Sequence, residues 1–406
     1  MLMIALGASE IFAAQAQKPA GGQRPQTLLL DGGQLARARE NASSDARSKA
    51  IVAAAVAAAD RAMREGPFSV MQKTATPPSG DRHDYMSQAP YFWPDPDKPD
   101  GLPYLRHDGR RNPEIEKIGD HGEFLRMGDV ARTLALAAYL TGNPVYADRA
   151  ALLLRTWFLA PTTRMNPNLE FAQGIPGRNT GRGTGIIESR TLVQVVDAAS
   201  LLETLPAWTE ADKSGLRAWL TAYLHWLQSS DHGIAEGRAA NNHGSWYDLQ
   251  VVCLELFLGD RAAATQTLES VQSRRIARQI EPDGSQPLEL ARTNAWGYSN
   301  FNLDALTGLA TVAEKTNVDL WNYHTADGRS IRKAVEFLLP YAQGKKTWSY
   351  SQIGGFHAEA IAQSLERASS AYRDARFASD ALRLTAGRQD AERLLFEDAQ
   401  PQSAKR

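Results

Sequence analysis

Apolar residues recur at helical spacing along most of the chain, in separate segments. The segment at 211–227 is the clearest, because its apolar residues fall on one face of a helix: Leu216, Trp219, Leu220, Tyr223 and Leu227. The same spacing predicts further helices at 35–65, 124–142, 146–157, 191–205, 245–258, 261–278, 299–315, 328–342 and 355–388. No segment shows the alternating pattern of a β-strand. Successive helices joined by short loops pack as hairpins, so the pattern predicts a single all-α domain over residues 27–388.

A proline-rich segment at residues 67–113 interrupts the helical pattern. Eight of the twenty prolines fall between Pro77 and Pro113, interleaved with five aromatic residues: Tyr85, Tyr91, Phe92, Trp93 and Tyr104. Proline at this density excludes a regular element. Long loops in compact domains often have a function. Two interpretations are open: a rigid arm held by buried aromatic rings, or a lid or wall over a binding cleft.

Two polar stretches precede apolar helices. Asn241, Asn242 and His243 lie where the helix at 245–258 should begin, and the free N–H groups there favour an anion. An asparagine at such a position either caps the helix or donates to a carboxylate. The second stretch places Arg292 and Tyr298 at the start of another helix.

A glycine-rich loop at residues 173–190 contains Arg178, Arg182 and Arg190. The Gly-Lys-Ser/Thr of a nucleotide-binding loop does not follow, so a phosphate site is disfavoured. Guanidinium groups suit carboxylates, which they bind in a bidentate way. The alternative is that these arginines are solvated side chains on a flexible connection.

Composition narrows the choice of ligand. The 406 residues carry a formal net charge of −1, which disfavours binding to nucleic acid or a membrane surface by overall attraction. A polyanion must therefore meet a local basic patch.

The single cysteine, Cys253, excludes an intrachain disulfide. No segment is long enough to span a bilayer.

The two ends of the chain differ from the rest. An apolar run at residues 1–8 precedes Ala14-Gln15-Ala16, which fits a cleavage site. Residues 1–16 are therefore predicted to be a signal peptide, and the protein to be periplasmic or secreted. Residues 389–406 are charged and polar and are predicted to be a frayed tail.

The two polar stretches that precede apolar helices resemble a motif of the alginate lyase superfamily of polysaccharide lyases. In that motif Asn-His is followed by Trp and later by Arg and Tyr. The matching residues are Asn242, His243, Trp246, Arg292 and Tyr298. Residues 79–85 (SGDRHDY) and 90–96 (PYFWPDP) resemble the N-terminal loop of one branch. The resemblance covers residues 27–370. It implies an α/α toroid, or incomplete α/α barrel, that cleaves β-1,4-linked uronate polymers such as poly-mannuronate or glucuronan, without a metal or other cofactor.

The resemblance implies β-elimination, in which the C5 proton leaves, the carboxylate charge is stabilised and the C4 oxygen is protonated. Asn242, with Arg292 or a loop arginine, is predicted to stabilise the charge. His243 is predicted to act as the base or to hold Tyr298 as a phenolate. Tyr298 would remove the C5 proton and return one to the leaving oxygen.

Further residues are predicted to bind the sugar chain. The aromatic candidates for stacking are Tyr85, Tyr91, Trp93, Trp246 and Trp296. Trp246 is favoured as wall or core, and Tyr91 and Trp93 as cleft residues. The polar and charged candidates are Lys73, His83, Arg178, Arg182, Arg190 and Asn241.

Three alternatives remain open from the sequence. A glycoside hydrolase would need two carboxylates, with candidates at Asp84, Glu188, Asp248 and Glu289. A metal site from His232, Glu236 and His243 is disfavoured, because Gly233 and Gly237 weaken the helix that its spacing requires. A non-catalytic protein would bind the polysaccharide without shortening it.

Overall fold

A computed structural model describes residues 24–386 and 390–396. The helices of these residues are, in chain order, α1 Gly32–Glu40, α2 Ala46–Ala62, α3 Asp120–Thr141, α4 Pro144–Leu154, α5 Leu192–Leu202, α6 Glu210–Ser229, α7 Asp231–Gly237, α8 Asn242–Leu258, α9 Arg261–Val271, α10 Ala277–Gln279, α11 Pro287–Leu290, α12 Ala295–Ala313, α13 Ile331–Ala342, α14 Ala362–Tyr372, α15 Ala375–Leu384 and α16 Ala391–Phe396.

The long helices form two layers that alternate along the chain. Helices α3, α5, α8, α12 and α14 are buried on most sides, and α3 contacts α5, α5 contacts α8, α8 contacts α12 and α12 contacts α14. The helices between them in sequence bury a narrower face, as α6 does with the five residues predicted from its spacing. An inner and an outer layer of alternating helices make an α/α toroid, so the predicted fold class is confirmed.

Three of the predicted helices are interrupted. The segment 35–65 forms two helices, because Asp45 accepts a hydrogen bond from the backbone N–H of Ser48 and starts α2 anew. The segment 355–388 is divided into α14 and α15 at Arg373, which adopts the left-handed conformation with φ 51°. Residues 261–278 contain a π-helical turn, Gln272–Ile276, between α9 and α10.

The predicted polar tail is wrong for residues 391–396, which form α16. Ala391, Leu394 and Leu395 recur at helical spacing and are buried. Glu392 pairs with Arg132 at 2.7 Å. Helix α16 contacts both α2 and α14, so it joins the first and last parts of the toroid.

The predicted signal peptide, residues 1–16, lies outside the described residues and stays a prediction, as does export. Among the helices at residues 24–386 and 390–396, none combines the length and the apolar character needed to cross a membrane.

Four short strands accompany the helices in the described residues, although the sequence shows no alternating pattern. Strand β1 (Met86–Gln88) pairs in parallel with β4 (Phe171–Gly174), and β2 (Phe92–Trp93) pairs antiparallel with β3 (Leu105–Arg106). Strands of two to four residues are too short to show an alternating pattern. They fasten the proline-rich segment to itself and to the loop before α5.

Residues 67–89 of the proline-rich segment behave as a fixed arm. The ammonium of Lys73 is fully buried, lies 3.0 Å from a carboxylate oxygen of Asp120, and donates to the carbonyls of Val70 and Arg82. The phenol of Tyr85, also fully buried, donates to Glu188 at 2.7 Å. The prediction that Lys73 and Tyr85 bind substrate is therefore wrong: both anchor the arm.

Candidate active site

A cleft of about 620 Å³ opens where α8 and α12 begin. Eight of the predicted site residues line it: Tyr91, Arg182, Arg190, Asn241, Asn242, His243, Arg292 and Tyr298. Residues 90–92, Arg106 and Arg111 form one wall, so the outer part of the proline-rich segment is the predicted wall of a cleft. The arm and the wall are thus successive parts of one segment.

His243 is oriented by a buried carboxylate. Its Nδ1 lies 2.6 Å from Oε1 of Glu236, which α7 carries and which is 2% exposed. This contact assigns the ring hydrogen to Nδ1, because a carboxylate accepts. Nε2 is then the proton-accepting nitrogen of the ring, as a base or as an acceptor from a phenol requires.

Tyr298 is held from two sides. Its hydroxyl donates to the hydroxyl of Tyr91 at 2.7 Å, and the guanidinium carbon of Arg292 lies 3.8 Å from the centre of its ring. Burial raises the pKa of the Tyr298 phenol well above its usual value, and Tyr91 adds to the shift. Tyr298 is therefore a neutral proton donor in the resting cleft.

Arg292 is tied to the wall of the cleft. Its Nε and Nη2 donate to the two carboxylate oxygens of Asp108, at 3.0 and 2.7 Å. Burial alone would raise the pKa of Asp108, but the hydrogen bonds from Arg292 lower it to about 2. The guanidinium thus spans Asp108 and Tyr298.

Neither asparagine caps α8 with its side chain. Glu289 does this instead: its carboxylate accepts from the backbone N–H and from Nδ2 of Asn242, both at 2.7 Å. Burial raises the pKa of Glu289, against the lowering effect of the two hydrogen bonds. One Nδ2 hydrogen of Asn242 therefore binds Glu289, and the other can donate to a ligand in the cleft.

The cleft carries a local basic patch of the kind that a polyanion would need on a chain with almost no net charge. Its lining includes five arginines, at 106, 111, 182, 190 and 292, and one carboxylate, Glu188. Among the described residues, Arg182 and Arg190 form no ion pair within 4 Å; Arg182 donates to Gln173 at 2.6 Å and Arg190 to the carbonyl of Ile187 at 3.1 Å. Burial lowers the pKa of both groups, yet a guanidinium stays protonated in proteins.

The sequence reasoning missed His121, which lines the cleft from the start of α3. Its Nδ1 lies 3.9 Å from Glu188, and its buried Nε2 has no hydrogen-bond partner in the described parts of the chain. Burial lowers the pKa of His121 against the raising effect of Glu188, and Arg190 and Arg111 lower it further, so the ring is neutral at neutral pH. A histidine beside Asp120 at a helix start gives no sequence signal of this position.

The other predicted binding residues lie away from the cleft lining. His83 contacts the carbonyl of Arg164, and Trp93 donates to the carbonyl of Arg110. Arg178 is exposed, beside the ring of Phe92. Trp246 is 8% exposed and contacts the ring of Phe301, with ring centres 5.0 Å apart, in agreement with wall or core. Trp296 is 1% exposed and lies in the core. The spacing of these residues could not show which way each side chain points.

The candidate carboxylates of a hydrolase are mostly occupied elsewhere. Asp84 accepts from Ser79 and Asn166, Asp248 pairs with Arg275 at 2.7 Å, and Glu289 holds Asn242. Only Glu188 of the four lines the cleft.

The histidines of the alternative metal site are separated. His232 pairs with Glu170 at 3.5 Å, whereas Glu236 holds His243. Within residues 24–386 and 390–396, no group of three or more His, Cys, Asp or Glu side chains is arranged to hold a metal ion.

Comparison with known proteins agrees with this geometry. The family model for alginate lyase matches residues 69–348. The crystal structure of an alginate lyase from Bacteroides ovatus is 39% identical, with a TM-score of 0.85 over 92% of this chain and 99% of that one. No curated protein matched significantly.

Two more distant structures share the fold. Alginate lyase A1-III from Sphingomonas species A1 is 18% identical, with a TM-score of 0.54 over 85% of this chain and 88% of that one. A histidine-to-alanine variant of alginate lyase A1-III complexed with a tetrasaccharide is 17% identical, with a TM-score of 0.57 over 87% and 90% of the two chains. The family model covers more than half of the chain, and the Bacteroides ovatus structure matches nearly all of it: this chain belongs to the alginate lyase family and is a polysaccharide lyase.

Proposed function

We propose that this lyase cleaves β-1,4-linked uronate polymers, poly-mannuronate or glucuronan, by β-elimination that leaves a 4,5-unsaturated uronate end. The observation that carries the proposal is that His243 and Tyr298 line one cleft together with five arginines. In both sugars the C5 hydrogen and the C4 oxygen lie on the same side of the ring. One phenol can therefore serve both atoms.

The proposed proton transfers use His243 and Tyr298, which line the same cleft. Nε2 of His243 takes the phenol proton of Tyr298 when the substrate displaces Tyr91 as its partner. The phenolate then removes the C5 proton, the C4–O4 bond breaks as the C4=C5 double bond forms, and the same phenol gives its proton to O4. Glu236 fixes the tautomer of the neutral His243 ring and stabilises the imidazolium that forms when Nε2 takes the proton.

Charge stabilisation is assigned to the cleft arginines and to Asn242. Removing a proton beside a carboxylate puts a second negative charge on the same group, so donors must be in place before the reaction. Arg182 and Arg190 have no carboxylate partner within 4 Å among the described residues, whereas Arg292 is already bound to Asp108. They are therefore the main partners for the substrate carboxylates.

Incubation of the enzyme with poly-mannuronate or glucuronan should increase the ultraviolet absorbance of the solution as unsaturated ends form, with a chelator present. Poly-guluronate and hyaluronan complete the panel. Reducing ends that form without this absorbance would contradict β-elimination and favour hydrolysis. Binding without any shortening of the polymer would contradict both.

Arg182→Lys should raise the KM for the polymer about tenfold, because lysine keeps the charge but loses the planar fork that binds a carboxylate with two hydrogen bonds. Arg178→Lys is the matched control: both arginines lie over the ring of Phe92, and only Arg182 lines the cleft. Steady-state kinetics on the polymer measure the difference. Equal KM values for the two variants would remove Arg182 from carboxylate binding.

A further inference from the structure

A second depression, of about 600 Å³, lies outside the catalytic cleft on the segment that follows α13. We call it the aromatic groove, and its defining residues are Tyr341, Lys346, Trp348, Tyr350, Gln352 and Phe356. None of these six residues lines the catalytic cleft. The proposed reaction does not use them.

The groove exposes aromatic rings that a folded chain normally covers. Tyr350 is 37% exposed and Phe356 is 40% exposed. Both contact Trp348, with ring centres 4.9 and 6.2 Å apart, and Trp348 rests on the buried ring of Trp296 at 5.2 Å. The exposed rings of Tyr350 and Phe356 therefore pack against side chains that the core holds in place. Flat apolar rings next to polar groups suit a sugar ring, which has apolar faces and a polar edge.

The charge of the groove suits an acidic ligand. Residues 343–358 carry two lysines, Lys345 and Lys346, and no Asp or Glu. Both lysines are exposed, and Nζ of Lys346 lies 5.9 Å from the ring centre of Tyr341. A cation beside the rings can contact a carboxylate on a sugar that stacks there.

Gln352 connects the aromatic groove to the lining of the catalytic cleft. Its Nε2 donates to Oδ1 of Asn294 at 2.6 Å, and its Oε1 accepts from the backbone N–H of Trp296 at 2.9 Å. Asn294 lines the catalytic cleft. A single hydrogen bond therefore connects the aromatic groove to the lining of the catalytic cleft.

We propose that the aromatic groove is a second binding site for the acidic polysaccharide itself and holds the part of the chain that extends beyond the cleft. The proposal rests on the proposed function, because the uronate polymer is the ligand in both. Its consequence is a preference for long chains: a second contact on the same molecule raises the effective concentration of the polymer at the cleft.

The test compares a long polymer with a tetrasaccharide of the same uronate. In the double variant Lys346→Ala/Tyr350→Ala, the ratio of the KM for the polymer to the KM for the tetrasaccharide should rise about tenfold, from the loss of one ring contact and one charge. The matched control is Lys49→Ala/Leu152→Ala, which removes an exposed lysine and an exposed apolar side chain from α2 and α4. Its ratio should equal that of the unaltered enzyme.

Two results would overturn the aromatic groove as a polymer site. One is an unchanged ratio in the Lys346/Tyr350 variant. The other is an unaltered enzyme that sediments as a dimer while this variant sediments as a monomer, because the groove would then join two copies of the chain.

Failure of the proposed function gives a different result. An unaltered enzyme that produces no unsaturated ends on any uronate polymer would contradict the proposed reaction. Retardation in gels containing the same polymers then tests the groove: weaker retardation of the Lys346/Tyr350 variant than of the control supports it, and equal retardation overturns it.

Discussion

Tyr298→Phe should lower kcat on the preferred uronate polymer by about 10³-fold or more, because one hydroxyl is proposed to serve as both base and acid. The substitution removes only that hydroxyl. The ring and its contact with Arg292 remain, so the cleft keeps its shape and most of its affinity. Ultraviolet absorbance of the unsaturated ends measures kcat, and calorimetric titration of the variant measures polymer binding.

Two tyrosines provide comparisons for this variant. Tyr91→Phe removes the partner of the Tyr298 hydroxyl but leaves that hydroxyl in place, so its loss of kcat should be much smaller, about tenfold. Tyr104→Phe removes a hydroxyl that donates to Glu114, outside the cleft lining, and should leave kcat unchanged. A Tyr298→Phe variant that keeps more than a tenth of the activity would move the base to another residue, with His243 the first to examine.

Lys73→Ala should lower the free energy of unfolding by about 3–5 kcal/mol, because it leaves the carboxylate of Asp120 buried without its partner. Both side chains are almost fully buried, and Lys73 also satisfies two backbone carbonyls. Urea unfolding measures the change. The KM for the polymer, measured where the variant is still folded, should stay that of the unaltered enzyme.

A second substitution separates the buried charge from lost packing. Lys73→Met combined with Asp120→Asn removes both charges and keeps an oxygen that can accept from the backbone N–H of Met86. The double variant should regain at least half of the lost stability, since a neutral pair leaves no isolated charge. Lys49→Ala, on an exposed face of α2, should change the stability by less than about 0.5 kcal/mol. A stable Lys73→Ala variant with a raised KM would restore Lys73 as a substrate-binding residue.

The buried face of a helix could be predicted where large apolar residues mark it, as in α6, but not where alanines occupy most positions, as in α2. Helix α2 buries Ile51, Ala55 and Ala59, while alanine also occupies positions 53, 54, 57 and 58. Alanine adds little apolar area, so neighbouring alanines do not reveal which of them faces the core. The short strands could not be predicted, because two to four residues show no alternating pattern and because β1 pairs with a strand far away in the sequence.

The site could be predicted as a set of side chains, but not as a set of contacts. Asn242, His243, Arg292 and Tyr298 were identified from their order, and the structure brings them to one cleft. Their partners Glu236, Asp108 and Glu289 come from other segments, and only the folded chain places them. The direction of the aromatic side chains in the proline-rich segment was equally out of reach, because it depends on the pairing of β1 with β4.

The contact of Arg292 with both Asp108 and Tyr298 constrains how this enzyme can be recombined with its relatives. Asp108 belongs to the wall of the cleft and Tyr298 to α12, so a chimaera that exchanges residues 67–113 alone would separate a matched pair. Such a hybrid would keep His243 and Tyr298, but Arg292 would lose its contact with Asp108 and would no longer be held against the ring of Tyr298. Exchange of the segment together with Arg292 would keep this contact.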